Sequence, residues 1–345
     1  MMSQIYRNSS IFHQSAHRIL SRAVSALILF LILTGSLFSQ KLVTRIKSYS
    51  TEDGLSSQNI SSIAQDKIGY LWIGTDDGLN RFDGNSFRVY RNDPGDSLSL
   101  SDTRVTALYA TVFQGKPELW VGMRNGLNRL DLKTGNFKTY FPAANDSRSL
   151  SHPTVTSITG DESGSIWVGT ENGLNLLEVK GRDSGRFLRF LHTKPGEDYT
   201  NSNFIRKVLQ GYSSGDQKQL WVATRDGLKS INYSLTQRSM VTDFNFSSDA
   251  LNVNKNDIRT LFIKRQKKQV FVYAGTEAGE LYKIDVFNAN LPPKKIWTFD
   301  SFIRSIYIDS FRHMWVATYG RGLYQFVENE NELSQQAVFE GLPEL

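Results

Sequence analysis

Six times along the chain a run of consecutive apolar residues leads into a polar turn containing glycine, and an alternating apolar–polar stretch follows. The clearest copy is Leu71-Trp72-Ile73-Gly74-Thr75-Asp76-Asp77-Gly78-Leu79-Asn80-Arg81-Phe82, and the others begin at Leu119, Ile166, Leu220, Val272 and Met314. Their aromatic residues are Trp72, Trp120, Trp167, Trp221, Tyr273 and Trp315, at successive spacings of 48, 47, 54, 52 and 42 residues. A short run such as Leu-Trp-Ile favours a strand because aromatic and β-branched side chains pack well on a pleated surface. It is apolar at consecutive positions, so both of its faces are expected to be covered. In the turn, Gly78, Gly126, Gly173 and Gly227 stand where a tight hairpin needs a positive φ. The alternation beyond them predicts the next strand.

Each repeat divides into four strands. Inner strands are expected to start near Ile60, Val105, Val155, Phe204, Ile258 and Ile303, and outer strands at 87–90, 137–140, 187–190 and 337–339. A strand-rich unit recurring at about this length is the signature of a β-propeller, with one blade per repeat. The expected fold is therefore all-β, with six visible blades of four antiparallel strands in a single domain over 40–345. The aromatic of each hairpin acts as a packing wedge between blades. The linkers also repeat, Asp96 to Ser101 matching Asp146 to Ser151. Residues 45–50, followed by Glu52-Asp53-Gly54-Leu55, read as an outer strand with no inner strands before it, and 338–343 resembles that stretch. Seven outer strands thus stand against six inner triplets. Either the first strand closes the last blade, or the ring is an incomplete seven-bladed one.

Residues 1–39 change the picture of compartment. Arg7, Arg18 and Arg22 precede an apolar run at 23–33, and small residues follow, which is the form of an export signal. The apolar run is shorter than a comfortable membrane span. Cleavage after Ser39 and retention as an uncleaved anchor both stay open. The chain contains no cysteine, so it forms no disulfide and no thiolate metal site. An exported chain without disulfides fits a periplasmic or otherwise exported protein of the bacterial envelope. The formal charge falls from +6 to +3 once the three leader arginines are set aside, and both signs are spread along the rest. The cluster Lys264-Arg265-Gln266-Lys267-Lys268 reads as a solvated hairpin turn, and no nucleic-acid partner is expected.

Chemistry is sparse. His13, His17, His152, His192 and His313 are not paired at metal-ligand spacing, so no metal and no cofactor is expected. No nucleophile-elbow or phosphate-loop phrase occurs, and the Asp-x-x-Gly turns carry too few carboxylates for calcium. In a four-stranded blade the second hairpin turn and the inter-blade linker emerge on the same face. That places Asp76, Asp77, Arg104, Arg124, Glu171, Arg206, Arg225, Arg259, Glu277, Arg304, Tyr319 and Arg321 around one rim. Mixed acids, arginines and an aromatic at a channel mouth suit a polar solute such as an oligosaccharide or other glycan. Replacing Arg124 and Arg225 by alanine is expected to abolish its binding.

The stretch from Tyr49 to Tyr90, and the strings SLSHPTVTSITGDESGSIWVGTENGLNLLE and SLSLSDTRVTALYA, resemble the two-component regulator propeller repeat. The resemblance runs over about 49–345 and is strongest in blades one to three. It fades where Ala223 replaces glycine and Tyr273 replaces tryptophan. In that family two propellers are followed by an immunoglobulin-like domain, a membrane span and a kinase or other output domain. The resemblance implies a non-catalytic, extracytoplasmic sensor of two-component signal transduction. Its implied partners are a membrane histidine kinase or another propeller chain, with membrane contact only through an uncleaved leader. A second reading is an interaction scaffold that docks such a kinase. A third, a propeller enzyme such as a lyase or quinone-dependent dehydrogenase, needs a clustered constellation that the sequence does not supply.

Overall fold

The computed structural model describes residues 47–191, 200–214, 217–234, 257–266, 269–288, 292–328 and 333–339. The leader, His192, most of the third linker, Lys267, Lys268 and residues 340–345 lie outside them. The chain divides into Met1–Ser48 and Tyr49–Leu345, and the second unit is a six-bladed β-propeller.

Blade one contains β1 (Ile60–Gln65), β2 (Leu71–Thr75), β3 (Gly78–Phe82) and β4 (Phe87–Tyr90). Blade two contains β5 (Val105–Phe113), β6 (Lys116–Met123), β7 (Leu127–Asp131) and β8 (Phe137–Tyr140). Blade three contains β9 (Val155–Gly160), β10 (Ile166–Thr170), β11 (Gly173–Leu177) and β12 (Leu188–Phe190). Blade four shows β13 (Ile205–Ser214), β14 (Gln217–Thr224) and β15 (Gly227–Ser234) among the described residues. Blade five contains β16 (Ile258–Gln266), β17 (Gln269–Thr276), β18 (Glu280–Asp285) and β19 (Lys294–Thr298). Blade six contains β20 (Ile303–Ile308), β21 (His313–Thr318), β22 (Leu323–Glu328) and β23 (Leu333–Phe339). Within every blade the strands pair in sequence order, all antiparallel. The inner strands pack in series: β1 on β5, β5 on β9, β9 on β13, β13 on β16 and β16 on β20.

Two features of the repeated phrase produce this stacking. The first is the large aromatic: Trp72, Trp120, Trp167, Trp221 and Tyr273 are all buried. The second is the glycine two residues later. A Cβ on Gly122 would stand 2.6 Å from Cγ1 of Val155, and one on Gly169 2.6 Å from Cγ2 of Ile205. Only a bare Cα lets the first apolar residue of the next inner strand come so close. In the hairpin turn, Gly78 adopts a φ of 110°. Side chains rarely tolerate that conformation, and a Cβ there would also meet the carbonyl of Tyr90 at 2.5 Å.

The linkers are latched. The backbone N–H groups of Ser56, Ser101 and Ser151 donate to Oδ1 of Asn80, Asn128 and Asn175 at 2.9, 3.2 and 2.9 Å. Each asparagine Nδ2 donates back to the serine hydroxyl. All three asparagines are fully buried, as are the linker leucines Leu100 and Leu150, with Leu55 nearly so. Burying an amide is tolerable because its donors and acceptor are occupied.

Five expectations are corrected. Tyr49 and Ser50 are not in a strand; a 3-10 turn, Thr51–Asp53, follows, capped by Ser50. A strand needs a neighbour to pair with, and none flanks this stretch among the described residues. The overlap closure of blade six is not what forms, because β23 already supplies its fourth strand. That strand begins at Leu333, four residues before the expected start, and β12 begins at Leu188, not at Phe187. Lys264 is not on a solvated turn: it lies in β16 and its ammonium meets Glu328 at 2.9 Å, with both side chains nearly covered.

Among the described residues the ring is open between blades six and one. Among the described residues, no packing comparable to the other five inner-strand pairs joins β20 to β1. Ile60 is 36% exposed and Ile63 62%, whereas Val105, Val155, Ile258 and Ile303, which match Ile60, are at 0%. On the opposite flank Trp315 is only half-buried. Among the described residues no helix is long and apolar enough to cross a membrane.

Candidate binding site at the channel mouth

The same irregularity recurs at the start of every inner strand. In blade one Ile60 pairs with Thr75 and Ser62 with Gly74, so Ser61 is skipped. Thr106, Thr156, Arg206, Arg259 and Arg304 are skipped in the same way in the other five blades. A bulge leaves one residue outside the ladder and re-aims its side chain. Here all six residues line one cavity of about 430 Å³ at the mouth of the ring. Blades one to three contribute hydroxyls, and blades four to six contribute guanidinium groups. Asp76, Arg104, Thr154, Glu171, Phe204 and Phe302 complete most of the wall.

Hairpin turns and inner-strand starts belong to one rim, as the backbone shows. The N–H groups of Arg124, Glu171, Arg225, Glu277 and Tyr319 donate to the carbonyls of Arg104, Thr154, Phe204, Asp257 and Phe302. The arginines are braced to different degrees. Arg104 meets Asp76 at 3.1 Å. Arg206 forms a fork on Asp257, at 3.0 and 2.7 Å, and lies 4.8 Å from the centre of the Phe204 ring. Arg259 pairs with Glu277 and lies 4.4 Å from the centre of Phe302. Phe302 in turn stacks on Tyr319 at 4.7 Å. Arg304 makes no side-chain hydrogen bond or ion pair among the described residues, and neither does the carboxylate of Glu171. The hydroxyl of Thr156 is buried without a partner, while that of Thr106 donates to the carbonyl of Val155 at 2.6 Å. An orphaned buried hydroxyl, an unpaired guanidinium and aromatic faces are groups that a bound solute could satisfy.

The structure thus brings Asp76, Arg104, Glu171, Arg206, Arg259 and Arg304 to one cavity. Arg225, Glu277 and Tyr319 stand behind it: Arg225 lies 3.6 Å from the centre of Phe204, and the other two buttress Arg259 and Phe302. Asp77 is directed to Arg91 at 2.9 Å, outside the wall. Arg124 and Arg321 are not in the wall, and of the pair singled out from sequence, Arg124 and Arg225, neither lines the cavity. Ser61, Thr106, Thr156, Phe204, Phe302 and the brace Asp257 were missed. The available signal was the residue directly after the first apolar position of each inner strand.

Farther along the inner strands lies a second cavity of about 440 Å³, lined by Tyr109, Thr159, Lys207 and Gln210. Desolvation holds the ammonium of Lys207 below the usual lysine range, and the Nε2 of Gln210 is buried without a partner. Among the described residues no group of three or more His, Asp or Glu is placed to hold a metal.

Residues 54–77 and 149–172 match the two component regulator propeller family. Two segments of the chain are thus similar to the repeat of that family. The matched segments hold the latch serine, the mouth residue and the tryptophan strand of blades one and three. A curated relative, Histidine kinase P4 of Formosa agariphila, is 51% identical over 78 residues, which are 23% of this chain and 6% of that protein. The extracellular domain assigned to a hybrid two-component system of B. thetaiotaomicron superposes with a TM-score of 0.62 at 23% identity, covering 85% of this chain and 37% of that one. A second extracellular domain, assigned to another hybrid two-component system of B. thetaiotaomicron, gives 0.58 at 20% identity, over 83% and 34%. This chain spans well under half the length of each of these proteins. At these identities the structures speak for the fold.

Proposed function

We propose that this propeller is the extracytoplasmic sensing part of a two-component signalling system, and that it binds an anionic polar solute at the channel mouth without turning it over. The regulator-propeller repeats and the kinase relative support the signalling role. The bulge ring carries the binding reading: every blade sends one unladdered side chain into one cavity, three of them arginines. Four cavity arginines face two cavity carboxylates, Asp76 and Glu171. Asp257 and Glu277 behind the wall engage Arg206 and Arg259, so the charges balance and Arg304 is the guanidinium left to anchor an acid group, since guanidinium forks suit carboxylate or sulfate groups. The aromatic faces of Phe204 and Phe302 and the three hydroxyls suit a sugar ring. An acidic oligosaccharide combines these properties.

The test is thermal stabilisation by a panel of uronate- and sulfate-bearing oligosaccharides beside their neutral counterparts. Acidic members should raise the melting temperature, and Arg259→Ala with Arg304→Ala should remove the effect without lowering the melting temperature of the free protein by more than a few degrees. Equal stabilisation by neutral sugars, or a response unchanged in the double variant, rejects the reading.

A further inference from the structure

The position directly after each skipped mouth residue forms a further ring, one step along the inner strands. Ser62, Ala107, Ser157, Lys207, Thr260 and Ser305 occupy it, each paired with the glycine or alanine of its own hairpin strand. Five of these residues are small, and blade four alone carries a long cation there. Two of the small ones serve the next blade. The hydroxyls of Ser62 and Ser157 accept the backbone N–H groups of Leu108 and Val208 at 3.1 and 3.0 Å. An ammonium cannot accept such a bond, so Lys207 does not replace serine in that duty.

Lys207 instead lines the cavity of about 440 Å³. It makes no hydrogen bond or ion pair among the described residues. Burial lowers its pKa, and no neighbouring carboxylate offsets that. Other groups around it also lack partners. The Nε2 of Gln210 is buried without an acceptor. Tyr109, Thr260 and Ser305 line the same wall, and their hydroxyls make no hydrogen bond among the described residues. Gly160 makes room for the phenol, since a Cβ there would stand 2.9 Å from the Tyr109 hydroxyl. Arg265 adds a second cation to the wall and donates to the carbonyl of Gly211 at 2.9 Å. Among the described residues no aspartate or glutamate lines this cavity. A desolvated cation beside idle donors, with no acid in the wall, is a costly arrangement that a bound anion would relieve. The volume falls within the range of small-molecule sites.

We propose that this axial cavity is a second binding site, separate from the mouth, for a small monomeric acid whose carboxylate or phosphate group is held by Lys207 and Gln210. It stands on different residues from the mouth, so either site can fail without the other.

The whole chain is titrated by calorimetry with glucuronate, inorganic phosphate and neutral glucose. At least one of the two anions should bind at least tenfold more tightly than glucose. Lys207→Met should weaken that binding at least tenfold, and Arg304→Ala, which alters the mouth, should change it less than twofold. A second measurement needs no variant. Brief treatment with acetic anhydride, read by peptide mass spectrometry, should modify Lys207 in the free protein. The bound anion should slow that modification at least tenfold and leave the exposed Lys133 unaffected. Failure of both anions to bind overturns the inference, as does equal binding of glucose. Binding unchanged by Lys207→Met overturns it, and so does a Lys207 that is inert to the reagent or unprotected at saturating anion. Loss of binding in Arg304→Ala would place the anion at the mouth and overturn it too.

Discussion

Blade three and blade six are written in nearly the same phrase, Ile166-Trp167-Val168-Gly169-Thr170 against Met314-Trp315-Val316-Ala317-Thr318, and their environments differ sharply. Every residue of β10 and β11 is buried, whereas most of β22 is half-exposed. Trp167 donates to the hydroxyl of Tyr233 in the next blade. Trp315 turns to its own blade instead, donating to Asp309 at 3.0 Å and stacking on Phe339. The phrase specifies a hairpin, but burial comes from the neighbour, so equal sequence does not give equal stability.

The largest expected effect tests that directly. Trp167→Ala should cost about 3–5 kcal/mol in urea unfolding, the usual range for a buried aromatic, and Trp315→Ala about half of that. Equal losses would mean that blade six is covered after all. Next comes the charge cluster at the end of β22. Glu328 receives Lys264, Lys283 and the hydroxyl of Tyr273. Burial alone would raise its pKa, but those three hydrogen bonds outweigh burial and hold the carboxyl below its ordinary 4.5. A depressed pKa stabilises the fold above the unfolded value, and that contribution is lost as pH falls below about 4.5 through the folded value. Glu328→Gln should therefore cost about 2 kcal/mol at neutral pH by stranding two ammonium groups. Its stability should also fall less between pH 5 and pH 3 than that of the parent.

At the mouth, the two blades place different side chains at the skipped position, Thr156 against Arg304. Arg304→Thr should weaken binding of an acidic oligosaccharide roughly tenfold, about 1.4 kcal/mol, measured by calorimetry. Stability should change by less than about 0.5 kcal/mol, since the residue lies outside the ladder. The smallest effect sets the baseline. The exposed pair Arg91 and Asp77 should contribute less than about 0.5 kcal/mol to stability, and Asp77→Ala should leave binding unchanged.

Much of the fold was legible because the decisive signals are local. Apolar runs, turn glycines and their period gave the hairpins around Trp72, Trp120 and Trp167 to within a residue or two. The fate of Tyr49 was not legible, because whether an extended stretch becomes a strand depends on a partner elsewhere. The bulge ring was hidden for a related reason: pairing register is a property of two strands, so the position after the first apolar residue marks Thr106 or Arg206 only once the bulge is known. Arg124 and Arg225 looked as good as Arg206 from turn chemistry alone. The side chain of Arg225 lies against Phe204, and only the packed rim reveals that. The latch asparagines, in contrast, stood in plain sight as Gly-Leu-Asn three times over. Their meaning required knowing that the linker serines return to them.

Because the six unladdered positions sit outside the pairing that holds each blade, natural variation can change the chemistry of the mouth while the architecture stays constant. Serine, threonine and arginine already share the same slot here. Randomising those six codons, and nothing else, would yield a family of mouths with distinct chemistry on one unaltered frame.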